Sequence, residues 1–191
     1  MTSNLKIAVR FTLVTTVLLG LIYPLVITAF AHLTMRSQAD GQLIVRDGKV
    51  IGSKIIGQSF AGDNYFHGRP SEAGNGYDAA NSSGSNMAQS NKKLVDRIQG
   101  DVAAYQKSNP GKPVPIDLVT ASGSGLDPDI TPAAALYQVH RVAAARHLSD
   151  DAVEKLVQVH IQGRQFGILG EPRVNVLQLN LALDALAQHG S

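Results

Sequence analysis

FTLVTTVLLGLIYPLVITAFAHL, residues 11–33, carries no charged side chain. At about 1.5 Å per residue a helix over this stretch is about 35 Å long, enough to cross a hydrocarbon layer of about 30 Å. It predicts one membrane-spanning helix. A cleaved leader is the competing reading, because Lys6 and Arg10 form a basic flank and Ala29-Phe30-Ala31 has the small-x-small form of a cleavage site. The uncharged run before Ala29 is longer than the roughly 7–15 residues of a leader's apolar region, so a retained anchor is expected. The intact mass of chain extracted from membranes checks this.

Working outward, Lys6 and Arg10 on one side of the span face Arg36, Arg46 and Lys49 on the other, nearly a tie. Long domains cross a membrane largely regardless of their charge, so the short tail decides. Residues 1–10 are expected to be a cytoplasmic tail, 11–33 the transmembrane helix, and 34–191 one extracytoplasmic, periplasmic domain.

Within the span Thr12, Thr16, Gly20, Pro24, Thr28 and His32 follow one another at i+4, and none is a large aliphatic. Thr12, Thr16 and Gly20 are the compact part of this winding ridge. Small residues at that spacing let another backbone approach, so the ridge reads as a face docked on a partner helix; the alternative is a solitary lipid-facing anchor. Pro24 lacks an N–H and crowds the carbonyl of Gly20, which predicts a kink.

Cysteine is absent, which excludes disulfides, thiolate metal sites and a cysteine nucleophile. The net charge of +2 conceals an asymmetry, since Lys6, Arg10 and Arg36 are the only charged side chains before Asp40. The rest is close to neutral, with no electrostatic footprint for nucleic acid.

Beyond the span the pattern predicts one α+β domain with a small sheet and about four helices. Asp47-Gly48 between Gln42–Arg46 and Lys49–Ile51 predicts a tight hairpin, with Ser53–Phe60 continuing the sheet. Residues 70–85, rich in Gly, Ser, Asn and Ala, form a long loop, either functional or a surface excursion. Leu94, Ile98, Val102 and Tyr105 mark an amphipathic helix over 91–107. Val114–Thr120 reads as a strand entering the glycine-rich turn Ala121–Gly125. Thr131-Pro132 starts a second helix whose inner face carries Leu136, Val139 and Val142 or Ala143. Ser149 caps a third, with Val153, Leu156, Val157 and Ile161 inside and Gly163 as its stop. The last runs from Asn175 to Gln188, with Val176, Leu179, Leu183 and Leu186 on one buried side and Leu177 and Leu181 on a second.

Catalytic sets are weak. Ser122, Asp127 and His140 make a hydrolase triad on paper, but Ser122 lacks the glycine-x-serine-x-glycine elbow. His140, His147 and His160 do not have the four-residue spacing that places two imidazoles on one helical turn. Gly123-Ser124-Gly125 is followed by Leu126-Asp127-Pro128 rather than by lysine and a hydroxyl, so no phosphate loop is expected.

Several blocks occur in one order: Gly57-Gln58-Ser59-Phe60, Tyr65-Phe66-His67-Gly68-Arg69-Pro70-Ser71, Gly84-Ser85-Asn86, Asp117 through Asp127, Ile130-Thr131-Pro132, Arg141-Val142-Ala143, and Val174-Asn175-Val176-Leu177 with Leu179-Asn180-Leu181-Ala182-Leu183. With one N-terminal span ahead of them, the chain resembles the C subunit of the Kdp potassium-transporting ATPase over nearly its whole length. Ser83 and Asp129 depart from the family pattern.

The resemblance implies a non-catalytic, single-span accessory subunit in a bacterial inner membrane. It belongs to a complex that hydrolyses ATP to import potassium. The implied partners are a channel-like subunit holding the potassium filter and a P-type subunit carrying the phosphorylated aspartate, with a small single-span subunit as a further candidate. In that family the C subunit supports assembly and acts as a catalytic chaperone that raises ATP affinity; the alternative reading of the residues is an independently anchored periplasmic ligand-binding or hydrolase domain. No cofactor is intrinsic; ATP is implied through the complex, and direct contact with it stays open. The family-motif residues expected at the surface or in loops are Gln58, Phe60, Tyr65, Phe66, Arg69, Pro70, Ser71, Ser85, Asn86, Thr120, Ser122, Gly123, Gly125, Asp127, Asn175 and Asn180. The helix-packing residues are Thr12, Thr16, Gly20 and Pro24.

Overall fold

The computed structural model describes residues 2–189; Met1 at the start of the expected tail and the last two residues of the expected domain lie outside them. The chain divides into two units, residues 1–51 and 52–191.

In the first unit α1 (Thr2–Val17) runs into a π-helical segment, Leu18–Ile22, and then α2 (Tyr23–Thr34). No glycine or proline interrupts the chain before Gly20, so the helix extends through the expected tail. Ser3–Thr34 is long enough to cross a membrane, and an 18-residue window within it has a mean hydropathy of 2.2, with none of that window buried in the protein. The π turn Leu18–Ile22 immediately precedes Pro24, where the sequence predicts a kink. The Tyr23 N–H reaches back five residues to the Leu18 carbonyl, which lets the ladder pass a residue that cannot donate. A Cβ on Gly20 would meet only Thr16 Cγ2, at 3.9 Å, so this face is open.

Met35 leaves helical geometry, and α3 (Arg36–Ala39) is a single turn. Asp40 reaches back from its end, with Oδ1 3.5 Å from His32 Nδ1 and Oδ2 3.5 Å from Arg36 Nε. β1 (Leu43–Arg46) and β2 (Lys49–Ser53) form the predicted hairpin. Asp47 and Gly48, with φ of 51° and 73°, supply the left-handed pair that a two-residue turn requires.

In the second unit Ser53–Phe60 does not continue the sheet. Ser53 turns the chain by accepting the Ile55 N–H on its hydroxyl, and Gly57 then donates to the Leu126 carbonyl. α4 (Lys92–Ser108) begins at Asn91, whose side chain accepts the Lys93 N–H. Its apolar stripe is only half-buried. Val114–Thr120 is a 3-10 turn over Ile116–Leu118, not a strand. Pro113 and Pro115 cannot donate to a ladder, and the Thr120 N–H and hydroxyl both close on the Ile116 carbonyl, at 3.0 and 2.8 Å.

β3 (Asp129–Ile130) precedes α5 (Pro132–Arg146), capped by Thr131. Alanines along α5 let it lie close to α6 (Asp150–His160), capped by Ser149. His147, at φ 56°, makes the left-handed corner between them. α6 ends before Gly163, because β4 (Ile161–Gln162) pairs with β5 (Arg173–Asn175). The sheet order is β3-β5-β4, antiparallel throughout, with Ile130 and Ile161 both opposite Val174. α7 (Val176–His189) follows directly, and Asn175 accepts the Gln178 N–H at its start.

The core joins Phe66, Leu118 and Ile130 to Val139 and Val142 of α5, Val153 and Val157 of α6, and Leu179 and Leu183 of α7. Leu177 is buried as the second face of α7 predicted, whereas Leu136 and Leu186 are only partly covered.

Candidate functional site

The family-motif residues gather in three clusters. In the first, residues 68–86 are fastened to residues 116–127. Ser71 Oγ donates to the Gly125 carbonyl at 2.5 Å and accepts the Tyr77 N–H at 2.7 Å. Arg69 donates through Nε to the Thr120 carbonyl (3.2 Å), through Nη2 to the Ala121 carbonyl (3.3 Å) and through Nη1 to Asp127 (3.0 Å). A guanidinium suits this task because its fork of donors is fixed in one plane. The Tyr77 hydroxyl donates to the Arg69 carbonyl, and burial pushes its pKa up to about 12, with Tyr105 and Asp127 nearby adding to the shift.

Backbone closes the same clasp. Ser83 N–H and Ser82 Oγ donate to the Ser124 carbonyl, and Asn86 Nδ2 donates to Ser83 Oγ at 3.1 Å. A side chain at Gly84 would press on the Gly123 carbonyl at 3.1 Å. Ser85 and Pro70 are half-buried within this seam.

The second cluster grips an extended segment. Asn180 of α7 accepts the Phe66 N–H and donates to the Phe66 carbonyl, both at 2.9 Å. Gln138 of α5 does the same to His67, at 2.8 and 3.1 Å. Two side-chain amides thus take the place of a neighbouring strand for a segment that has none. Arg141 donates to the Asp63 and Tyr65 carbonyls and to Gln138. Arg146 donates to the Asn64 carbonyl and Asp184, and its guanidinium lies 4.7 Å from the Tyr65 ring centre, which in turn lies 5.5 Å from Phe60. In the third cluster Asn175 Nδ2 donates to the Lys54 carbonyl and to Asp129.

Phe66, Ser122 and Gly125 lie in loops as expected but are buried, whereas Asn175 and Asn180, expected at the surface or in loops, are buried on β5 and α7. Gln58 lies half-buried beside Gly52, where an added Cβ would meet its amide at 2.6 Å. Gly123 has no atom within 4 Å of an added Cβ. Gln138, Arg146 and Tyr77 were not singled out from the sequence. The available signal was Gln138 at helical spacing from Ala134 and Val142 on an apolar face.

The paper triad is dispersed among other partners. Ser122 Oγ sits 3.4 Å from Ser124 Oγ, Asp127 pairs with Arg69, and His140 pairs with Asp150 on the surface. Among the described residues no three acids or histidines converge as metal ligands.

A cleft of about 310 Å³ opens between residues 59–70 and α4, lined by Phe60, His67, Arg69, Tyr77, Asp101 and Tyr105. Its charges are compensated, Arg69 by Asp127 and Asp101 by Arg97. His67 Nε2 lies 3.0 Å from the Gly62 carbonyl. Burial, and secondarily the Arg141 charge, hold its pKa below the ordinary 6.5. In the unfolded chain His67 takes up its proton as pH falls through 6.5, while in the fold it resists until the lowered value. The unfolded state then binds more protons, so stability present above pH 6.5 is lost as pH drops through that window. Replacing His67 by Asn is expected to flatten that part of the stability profile, measured by urea unfolding at stepped pH.

The sequence profile of the KdpC family, described as K+-transporting ATPase, c chain, matches residues 5–185. A protein of Koribacter versatilis, "Potassium-transporting ATPase KdpC subunit", is 56% identical over 184 residues, covering 96% of this chain and 95% of its own length. Proteins of the same name from Acidobacterium capsulatum and Rhodopseudomonas palustris strain BisB5 are 56% and 53% identical, over 96% and 97% of this chain and 99% and 98% of theirs. With a profile match running from the apolar helix into α7 and relatives of this identity over nearly the whole length, the chain belongs to the KdpC family, the c subunit of potassium-transporting ATPases.

Proposed function

We propose that the chain is the accessory subunit of an ATP-driven potassium import complex in a bacterial inner membrane. Its N-terminus is cytoplasmic and its folded unit periplasmic. The span docks on a helix of the channel-like or P-type subunit through Thr12, Thr16, Gly20 and the turn before Pro24. The supporting observation is the apolar Ser3–Thr34 helix, whose π turn presents Gly20 with open space beside it.

The subunit raises the effective ATP affinity of the P-type subunit through packing between subunits, not by contacting ATP. A ligand can be favoured at a distance when subunit association is stronger in the state that binds it. Gly20→Leu is expected to cut co-purification with the other subunits by roughly tenfold, about 1.4 kcal/mol, because the branched side chain fills the approach. The ATP KM of whatever complex forms should rise. Undiminished co-purification would refute the docking face. ATP binding by the isolated chain, with an unchanged KM in the variant complex, would refute the indirect route.

A further inference from the structure

The β1–β2 hairpin has an exposed apolar face that its own unit leaves uncovered. Strand alternation places Leu43 and Val45 on one side of β1, and the two-residue turn sets Val45 opposite Val50. These three are 53%, 59% and 60% exposed, while Ile44 and Ile51 on the other side are half-buried. A two-stranded ribbon is marginal in water without a covered face.

What lies against that face follows from where the hairpin starts. The span ends at Thr34, yet Asp40 is still within 3.5 Å of His32 in the last turn of α2. The chain has therefore not left the mouth of the span two residues before Gln42, and β1 begins at Leu43. The interfacial layer on each side of a hydrocarbon core is about 5–7 Å thick, so β1 starts at headgroup depth. Arg46 and Lys49 flank the turn, both exposed and, among the described residues, without an ion pair. Free basic side chains beside exposed aliphatics match acidic headgroups over acyl chains.

We propose that the Leu43–Val45–Val50 face lies on the bilayer surface beside the span, with Arg46 and Lys49 engaging acidic lipid headgroups. This rests on the proposed membrane insertion of Ser3–Thr34 and adds a second, interfacial foot to it.

The chain has no cysteine, so single labels report unambiguously. The full chain, alone and co-assembled with its subunits, is placed in nanodiscs of phosphatidylcholine with or without phosphatidylglycerol. A fluorophore is attached at Val45→Cys, at Arg46→Cys on the opposite face, or at Leu21→Cys within the span. Lipids carrying a nitroxide near the glycerol backbone are expected to quench the Val45 label at least about twofold more than the Arg46 label. Phosphatidylglycerol should strengthen this, and Arg46→Gln with Lys49→Gln should abolish that dependence. Equal quenching of the two labels with free access to iodide, or indifference to phosphatidylglycerol, overturns the proposal. So does a Val45 label shielded from both lipid and iodide only in the assembled complex, which would put a protein on that face. A Leu21 label that lipid fails to quench would instead refute the span, and the interfacial foot with it.

Discussion

Gln138→Leu is expected to lower the unfolding free energy by on the order of 3–5 kcal/mol, since each buried polar group stripped of its partner costs about 1–3 kcal/mol. Gln138 is 1% exposed on the inner side of α5. Leucine keeps the volume but leaves the His67 N–H, the His67 carbonyl and the Arg141 guanidinium each short of a partner. Gln138→Glu should fall between. A carboxylate still accepts from His67 and Arg141, but the His67 carbonyl loses its donor. With no tryptophan in the chain, urea unfolding of the full protein in detergent is followed by far-ultraviolet circular dichroism. A leucine variant within 1 kcal/mol of the parent would show that water reaches these groups and that the amide grip is dispensable.

Gly125→Ala is expected to cost about 3 kcal/mol or more. At φ +67° an added methyl sits in a backbone region that disfavours L-residues by about 1–2 kcal/mol, and here it would stand 2.5 Å from the Ser83 carbonyl and 2.7 Å from the Ala73 nitrogen. Both are main-chain atoms, so relief requires moving the loop off the turn. Faster amide exchange at Tyr77, Ser83 and Gly57, whose N–H groups close the clasp, would locate the damage. Gly123→Ala, two positions away with open space around the new methyl, should stay within about 0.5 kcal/mol. Equal effects at the two glycines would mean that the turn's flexibility matters and not its contacts.

The contrast between those glycines shows where the sequence is legible. Length and apolarity specify the span, and Asn91, Thr131 and Ser149 mark their helices by capping chemistry confined to a few residues. Asp47-Gly48 is legible for the same reason. The β3-β5-β4 sheet is not, because strands of two or three residues are too short for alternation, and their pairing joins Ile130, Ile161 and Val174 across long stretches of chain. Ser53–Phe60 and Val114–Thr120 have strand-like apolar content, but Ser53 and the two prolines bend them, and long-range contacts fix the bends. The motif blocks were recognisable as blocks. That Phe66 and Asn180 clasp each other is a tertiary fact that no local pattern encodes.

The grip on Phe66 and His67 has a consequence for the order in which the folded unit is made. One amide belongs to α5 and the other to α7, 71 and 114 residues along the chain from the backbone they hold. The Gln138 grip waits for α5 and the Asn180 grip for α7, because long loops must shut before such contacts return any free energy. The Phe66 latch is thus expected to close late on refolding, and during synthesis it stays open until the final helix has emerged.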